Sequence, residues 1–202
     1  MKIFEYDGGF MKHVILLSRL TLLNLIWIAA CLPIITAGAS TAAMYYSASC
    51  LMKGDIHVFK NFKSGLSLHW KRGTIIFLVF AFLSTLFSMA CYLFKTANIP
   101  YHNALFVISC IAFLSLLFVV LWLFPVMLNF KGRLQELIFN AFIFSFMYAP
   151  ITLLVIALYG ITGYLFVRYF ALRALIILFG PACITYCSLV LFEKVFVKYK
   201  TS

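Results

Sequence analysis

The chain has 202 residues, 65% of them apolar and 10% charged, with a mean hydropathy of +1.09. Soluble domains are roughly half apolar and about a quarter charged, so a water-soluble fold is excluded and one helical membrane domain is the expectation. The net charge of +11 does not point to nucleic acid, because most of the 16 Lys and Arg stand at the ends of apolar runs, where they hold loops on the cytoplasmic side.

About 20 apolar residues in a helix cross the hydrocarbon core. The first such run, residues 14–32, is closed by Pro33, which fits the start of a helix far better than its interior. Small residues at 37–39 resemble a signal cleavage site, and 28–31 resemble a lipobox. Glu5 and Asp7 ahead of the run, and the absence of charge between Leu20 and Met52, favour an uncleaved first span instead. Arg19 lies about one and a half turns inside the boundary, so its guanidinium snorkels to the headgroups rather than lining a path for substrate. Asn24 belongs in the interior of the bundle.

A second helix is expected over 36–52, short and rich in small residues. It forms a tight hairpin with the first or re-enters the membrane without crossing. Gly38, Ala39, Ala42, Ala43 and Ser47 repeat at four-residue spacing on it, and small residues let helix backbones approach closely in lipid. Packing of this face on helix one is favoured over docking of a partner subunit.

Residues 53–73 are polar and basic. Asp55 is placed to cap a helix in which Phe59, Phe62, Leu66 and Trp70 recur at spacings of three and four, flanked by Lys60, Lys63 and Lys71. That pattern predicts a cytoplasmic amphipathic helix lying in the membrane interface, with a solvated loop as the alternative.

Four further spans are expected, at 74–94, 104–130, 137–159 and 174–192, which makes about six in a polytopic transmembrane bundle occupying the whole chain. Pro125, Pro150 and Pro181 kink or end their helices, and the carbonyls they free need partners within the bundle. Asn140 is a further polar group expected inside. Between the last two spans, Tyr164, Arg168, Tyr169, Phe170 and Arg173 group aromatic with basic side chains. An aromatic belt is the favoured reading of this outer patch, and recognition of sugar rings or of an extracellular binding protein is the other. With six spans, the inner side receives two cations from the amino-terminal tail, five from 53–73, two from 131–136 and three from the last residues. The outer side receives Lys95, Arg168 and Arg173, so both termini are expected in the cytoplasm, with five spans and an outer amino terminus as the alternative if the second helix does not cross.

No catalytic machinery is visible. Glu5, Asp7, Asp55, Glu136 and Glu193 are too scattered to pair for glycoside chemistry, and His13, His57, His69 and His102 are equally dispersed. The six cysteines fall in apolar stretches without zinc-site spacing; Cys183 and Cys187 share a helix face but read as packing residues. No catalytic, cofactor or metal site is therefore expected, and the protein is expected not to be an enzyme.

Asn24, Leu25, Trp27, Leu32, Pro33, Thr36, Gly38, Ser40, Ala43 and Tyr45 together resemble the amino-terminal signature of the YesL family of bacterial membrane proteins, a family of uncharacterised function. Gly8 and Gly9, and Val58, Phe59 and Phe62, extend the resemblance. It implies a small multi-pass protein of the bacterial plasma membrane, encoded beside carbohydrate ABC importers. The resulting expectation is a non-enzymatic accessory or regulatory subunit whose partners are the lipid bilayer and a carbohydrate ABC transporter. A small-solute transporter or channel, or an ABC permease subunit, is the alternative.

Overall fold

The computed structural model describes residues 9–96 and 101–200. Lys2, Glu5, Asp7 and Gly8, used above, lie outside them. Among the described residues the regular structure is helical: α1 (Gly9–Cys31), α2 (Ala37–Met52), α3 (Val58–Thr96), α4 (His102–Asn129), α5 (Leu134–Met147), α6 (Ala149–Arg168) and α7 (Phe170–Lys200). Five of these, namely α1, α3, α4, α6 and α7, are long and apolar enough to cross a membrane. With 16 and 14 residues, α2 and α5 rise only roughly 24 and 21 Å, short of a hydrocarbon core of about 30 Å. Five helices rather than six therefore meet the length requirement, and 36–52 is the stretch that drops out.

The α1–α2 connection is compact because hydroxyls take over the carbonyls that the end of α1 exposes. Thr36 Oγ1 and Ser40 Oγ both donate to Ala30 O, at 2.6 and 3.0 Å. The tip between the helices is apolar and outward: Leu32 is 80% exposed and Ile34 76%, as suits side chains solvated by lipid.

At its far end α2 stops in a Schellman arrangement. Gly54 takes φ +90°, its N–H donates to Leu51 O at 3.1 Å, and the Asp55 N–H donates to Cys50 O at 3.0 Å. Asp55 does not itself cap α3, which starts three residues later. Its Oδ1 accepts the His57 N–H at 3.0 Å and so fixes the approach to the helix.

The helix that follows differs most from expectation. No interfacial helix ends near Gly73; α3 runs unbroken for 39 residues, roughly 58 Å, from the basic segment through the apolar one. Its basic half lies along α2, and glycines make that possible. A Cβ on Gly38 would collide with the Gly73 carbonyl and Phe77 Cβ, one on Gly73 would sit 2.8 Å from Gly38 O, and one on Gly65 would sit 2.9 Å from Tyr46 Cβ. Ala39, Ala42, Ala43 and Ser47 are fully buried. The small face of α2 is thus closed mainly by α3 rather than by α1, and it is not free to dock a partner.

The stretch 137–159 is two helices, not one. Pro150 has no N–H to continue the ladder, and α5 and α6 meet at Tyr148. Thr152 Oγ1 bridges the break, reaching Ser145 O at 3.0 Å and Tyr148 O at 3.1 Å while accepting the indole N–H of Trp122 at 2.8 Å. Trp122 is fully buried, with Phe192 at 4.4 Å, Phe144 at 5.8 Å and Phe196 at 5.9 Å between ring centroids, so α4, α5 and α7 share one aromatic core. Thr152→Val leaves a buried indole N–H without an acceptor, and about 1–3 kcal/mol of stability should be lost. Unfolding in detergent, followed by tryptophan fluorescence, measures that loss.

The gap that Pro181 leaves in the α7 hydrogen-bond ladder is closed from α1. Asn24, fully buried, donates from Nδ2 to Ile177 O at 2.6 Å and Leu178 O at 3.1 Å, and its Oδ1 accepts the Ala182 N–H at 3.3 Å. Pro181 is the residue that cannot donate to Ile177 O, so Asn24 supplies the missing bond.

Candidate functional site

Three regions present polar or concave features, and the first is the basic half of α3. Its inward face is Val58, Phe62, Gly65, His69, Gly73 and Ile76. Of the expected apolar stripe only Phe62 is buried; Leu66 is partly so, while Phe59 is 67% and Trp70 43% exposed. The helix has turned its glycines to α2, because in lipid the closest backbone approach, not the largest apolar side chain, selects the interface. Phe59, Leu68 and Trp70 consequently share the outer surface with Lys60, Lys63, Lys71 and Arg72. Gly65 and Gly73, eight residues apart, were the sequence signal for this rotation.

The turn entering α3 also carries a titrating group. The His57 N–H, then the Asn61 side chain, hold the Asp55 carboxyl below the usual carboxylate range. A lowered folded-state pKa stabilises the turn at pH above the unfolded-state value, and the contribution is lost as pH falls through the folded one. The His57 amide resonance should therefore follow a titration whose midpoint lies below that of a free aspartate. Asp55→Asn should abolish this acid transition.

The second region is a half-open cavity of about 420 Å³ lined by α1, α2, α4, α6 and α7. Trp27, Tyr45, Phe124, Tyr159, Phe166 and Pro181 form much of its wall, with Thr41 and Thr162, and no charged residue lines it. Tyr45 stacks on Phe124 with centroids 5.6 Å apart and faces the Tyr159 hydroxyl. Such a lining suits an apolar occupant with one or two hydrogen-bonding groups and offers nothing to strip a hydrated ion or a sugar of its water. Five helices contribute to it, which is why no local sequence pattern announced it.

The third is the turn between α6 and α7. Tyr164, Tyr169 and Phe170 are 63%, 50% and 82% exposed, and Arg168 is exposed beside them. Arg173 is otherwise engaged. Its Nε donates to Phe166 O at 2.9 Å and its Nη2 to Val167 O at 3.1 Å, closing the end of α6, and its guanidinium lies 5.4 Å from the Phe170 ring centroid. The patch thus has one guanidinium pointing outward, not two. Arg19, on α1, is half-buried.

Among the described residues no group of three or more His, Cys, Asp or Glu is placed to hold a metal ion. Cys183 is half-buried and Cys187 exposed, both as free thiols.

These helices define a multi-pass, all-helical membrane protein. Residues 20–91 match the model of a family described as a protein of unknown function, DUF624; the match covers the second half of α1, all of α2 and α3 as far as Cys91. No curated protein and no solved structure matches the chain.

Proposed function

We propose that the protein is a non-enzymatic accessory or regulatory membrane subunit associated with a carbohydrate ABC importer, seated in the bacterial plasma membrane with the basic end of α3 and the carboxy terminus cytoplasmic. The observation that carries this reading is that the polar groups at two helix breaks are spent on the fold itself. Asn24 closes the Pro181 gap, Thr152 closes the α5–α6 break, and the Tyr45–Tyr159 cavity carries no charge. The basic and aromatic face of α3, by contrast, is outer surface.

The orientation is supported by Lys60, Lys63, Lys71, Arg72 and Lys131, which flank the apolar runs of α3 and α4 at one end. The choice of partner is supported by the YesL resemblance of residues 24–46, which falls inside the matched family region. Purification of the tagged chain from its native membrane in mild detergent tests the reading. Co-recovery of importer membrane subunits and ATPase is the expected result, and repeated recovery of the chain without them overturns it.

The cavity of about 420 Å³ favours one second reading, a transporter of small, largely apolar solutes acting alone. Flux into proteoliposomes containing only this chain would establish it.

A further inference from the structure

The antiparallel pairing of α3 with α4 brings together two cations far apart in sequence. Arg72 is the last charged residue before the uncharged run of α3, and Lys131 is the first after the uncharged run of α4. Both line one cavity of about 580 Å³, together with Tyr46 of α2 and His69 of α3. His69 is only 7% exposed, and its Nδ1 has no hydrogen-bond partner. Among the described residues neither Arg72 nor Lys131 is held in an ion pair. One carboxylate stands close by: Glu136, beside Gly132, whose Oε2 accepts the Arg133 N–H at 3.0 Å and so belongs to the first turn of α5. A neighbouring groove shares Leu68 and Arg72 with this cavity and adds Lys63, Trp70 and Lys71.

Cations that bound uncharged apolar runs mark the level where hydrocarbon gives way to headgroups. The cavity therefore sits at that level, and its chemistry is that of a phosphate seat. A guanidinium pairs with phosphate through two parallel N–H bonds, and an ammonium adds a point charge. Tyr46 and Trp70 are the side chains that favour a headgroup boundary. Phe130 and Met127 give the same cavity an apolar wall, which serves glycerol and the first acyl carbons and which a free phosphate would not use. We propose that the cavity between α3, the end of α4 and the loop into α5 binds the phosphate of an anionic phospholipid headgroup, with Arg72 and Lys131 as its charged contacts and His69 in its wall. This site is independent of any association with an importer.

The test uses the full chain in nanodiscs of mixed phosphatidylcholine and phosphatidylglycerol, with lipids retained on release counted by native mass spectrometry. Phosphatidylglycerol should be retained in preference. The pair Arg72→Gln and Lys131→Gln should weaken that retention by roughly five-fold per cation removed, following the attraction of single cations to anionic surfaces. The pair Lys95→Gln and Arg168→Gln removes the same charge elsewhere and should leave retention intact. Equal loss in both pairs, or displacement of the lipid by millimolar inorganic phosphate, overturns the proposal. A second measurement needs no charge variant: a quencher on the headgroup should quench the Trp70 emission, isolated by subtracting Trp70→Phe, more from phosphatidylglycerol than from phosphatidylcholine. Equal quenching by the two lipids also overturns it.

Discussion

Gly38→Leu should leave little folded protein in detergent or in bilayers. At Gly38 even a methyl group collides with backbone and Cβ atoms of α3, and Gly73 opposite has no slack, since its own Cβ would lie 2.9 Å from Ala39 Cα. A flexible side chain could swing aside, but two helix backbones have to separate. Separation would also open the contacts of Ala42, Ala43 and Phe62, all of them buried. Overpacking of a tight core costs about 1–3 kcal/mol, and a backbone clash of this kind belongs at or above the upper end of that range. Gly160→Ala is the control, because nothing lies within 4 Å of its added Cβ. In the middle of α6 that change should stabilise by roughly 0.5–1 kcal/mol. Unfolding midpoints of opposite sign for these two glycine substitutions would show that the α2–α3 crossing, rather than glycine content, sets stability. A midpoint for Gly38→Leu equal to wild type would mean that α2 and α3 do not meet there.

Asn24→Leu is the second substitution with a large expected cost. It fills the space of the amide but removes both bonds to the α7 carbonyls and the acceptor for the Ala182 N–H. In hydrocarbon the freed groups have no water to turn to, and about 2–4 kcal/mol should be lost. The double variant Asn24→Leu with Pro181→Ala is the decisive measurement. Alanine restores an N–H for the Ile177 carbonyl, so it should recover part of the stability that Asn24→Leu loses. Additive losses in the double variant would show that Asn24 and Pro181 are not coupled.

Much of this architecture was legible in the sequence because lipid imposes simple demands. Runs without charge and long enough to span are visible one residue at a time, so α1, α4 and the apolar half of α3 lie close to where hydropathy put them. Proline similarly marked 125, 150 and 181 as places where backbone groups lose their partners. The small residues of α2 announced a close helix contact without naming the partner. Where the reading failed, the deciding quantity was not local. The basic amphipathic pattern at 59–70 looked like a helix with its large apolar residues inward, yet the glycines at 65 and 73 seat against Tyr46 and Gly38 of α2 and rotate Phe59 and Trp70 outward. The stretch 137–159 had the length of one span, but Tyr148 divides it.

What the sequence determined by itself is the solvent: chains this apolar and this short of charge belong in lipid, and helices are how their backbones satisfy themselves there. The tertiary structure decided everything that depends on two helices meeting. It joined Gly38 to Gly73 and Asn24 to the Pro181 gap, brought Arg72 and Lys131 to one cavity, and spent Arg173 on the end of α6. Hydropathy is a property of single residues summed along a window, whereas steric fit and hydrogen-bond completion are properties of pairs distant in the chain, and only folding chooses the pairs.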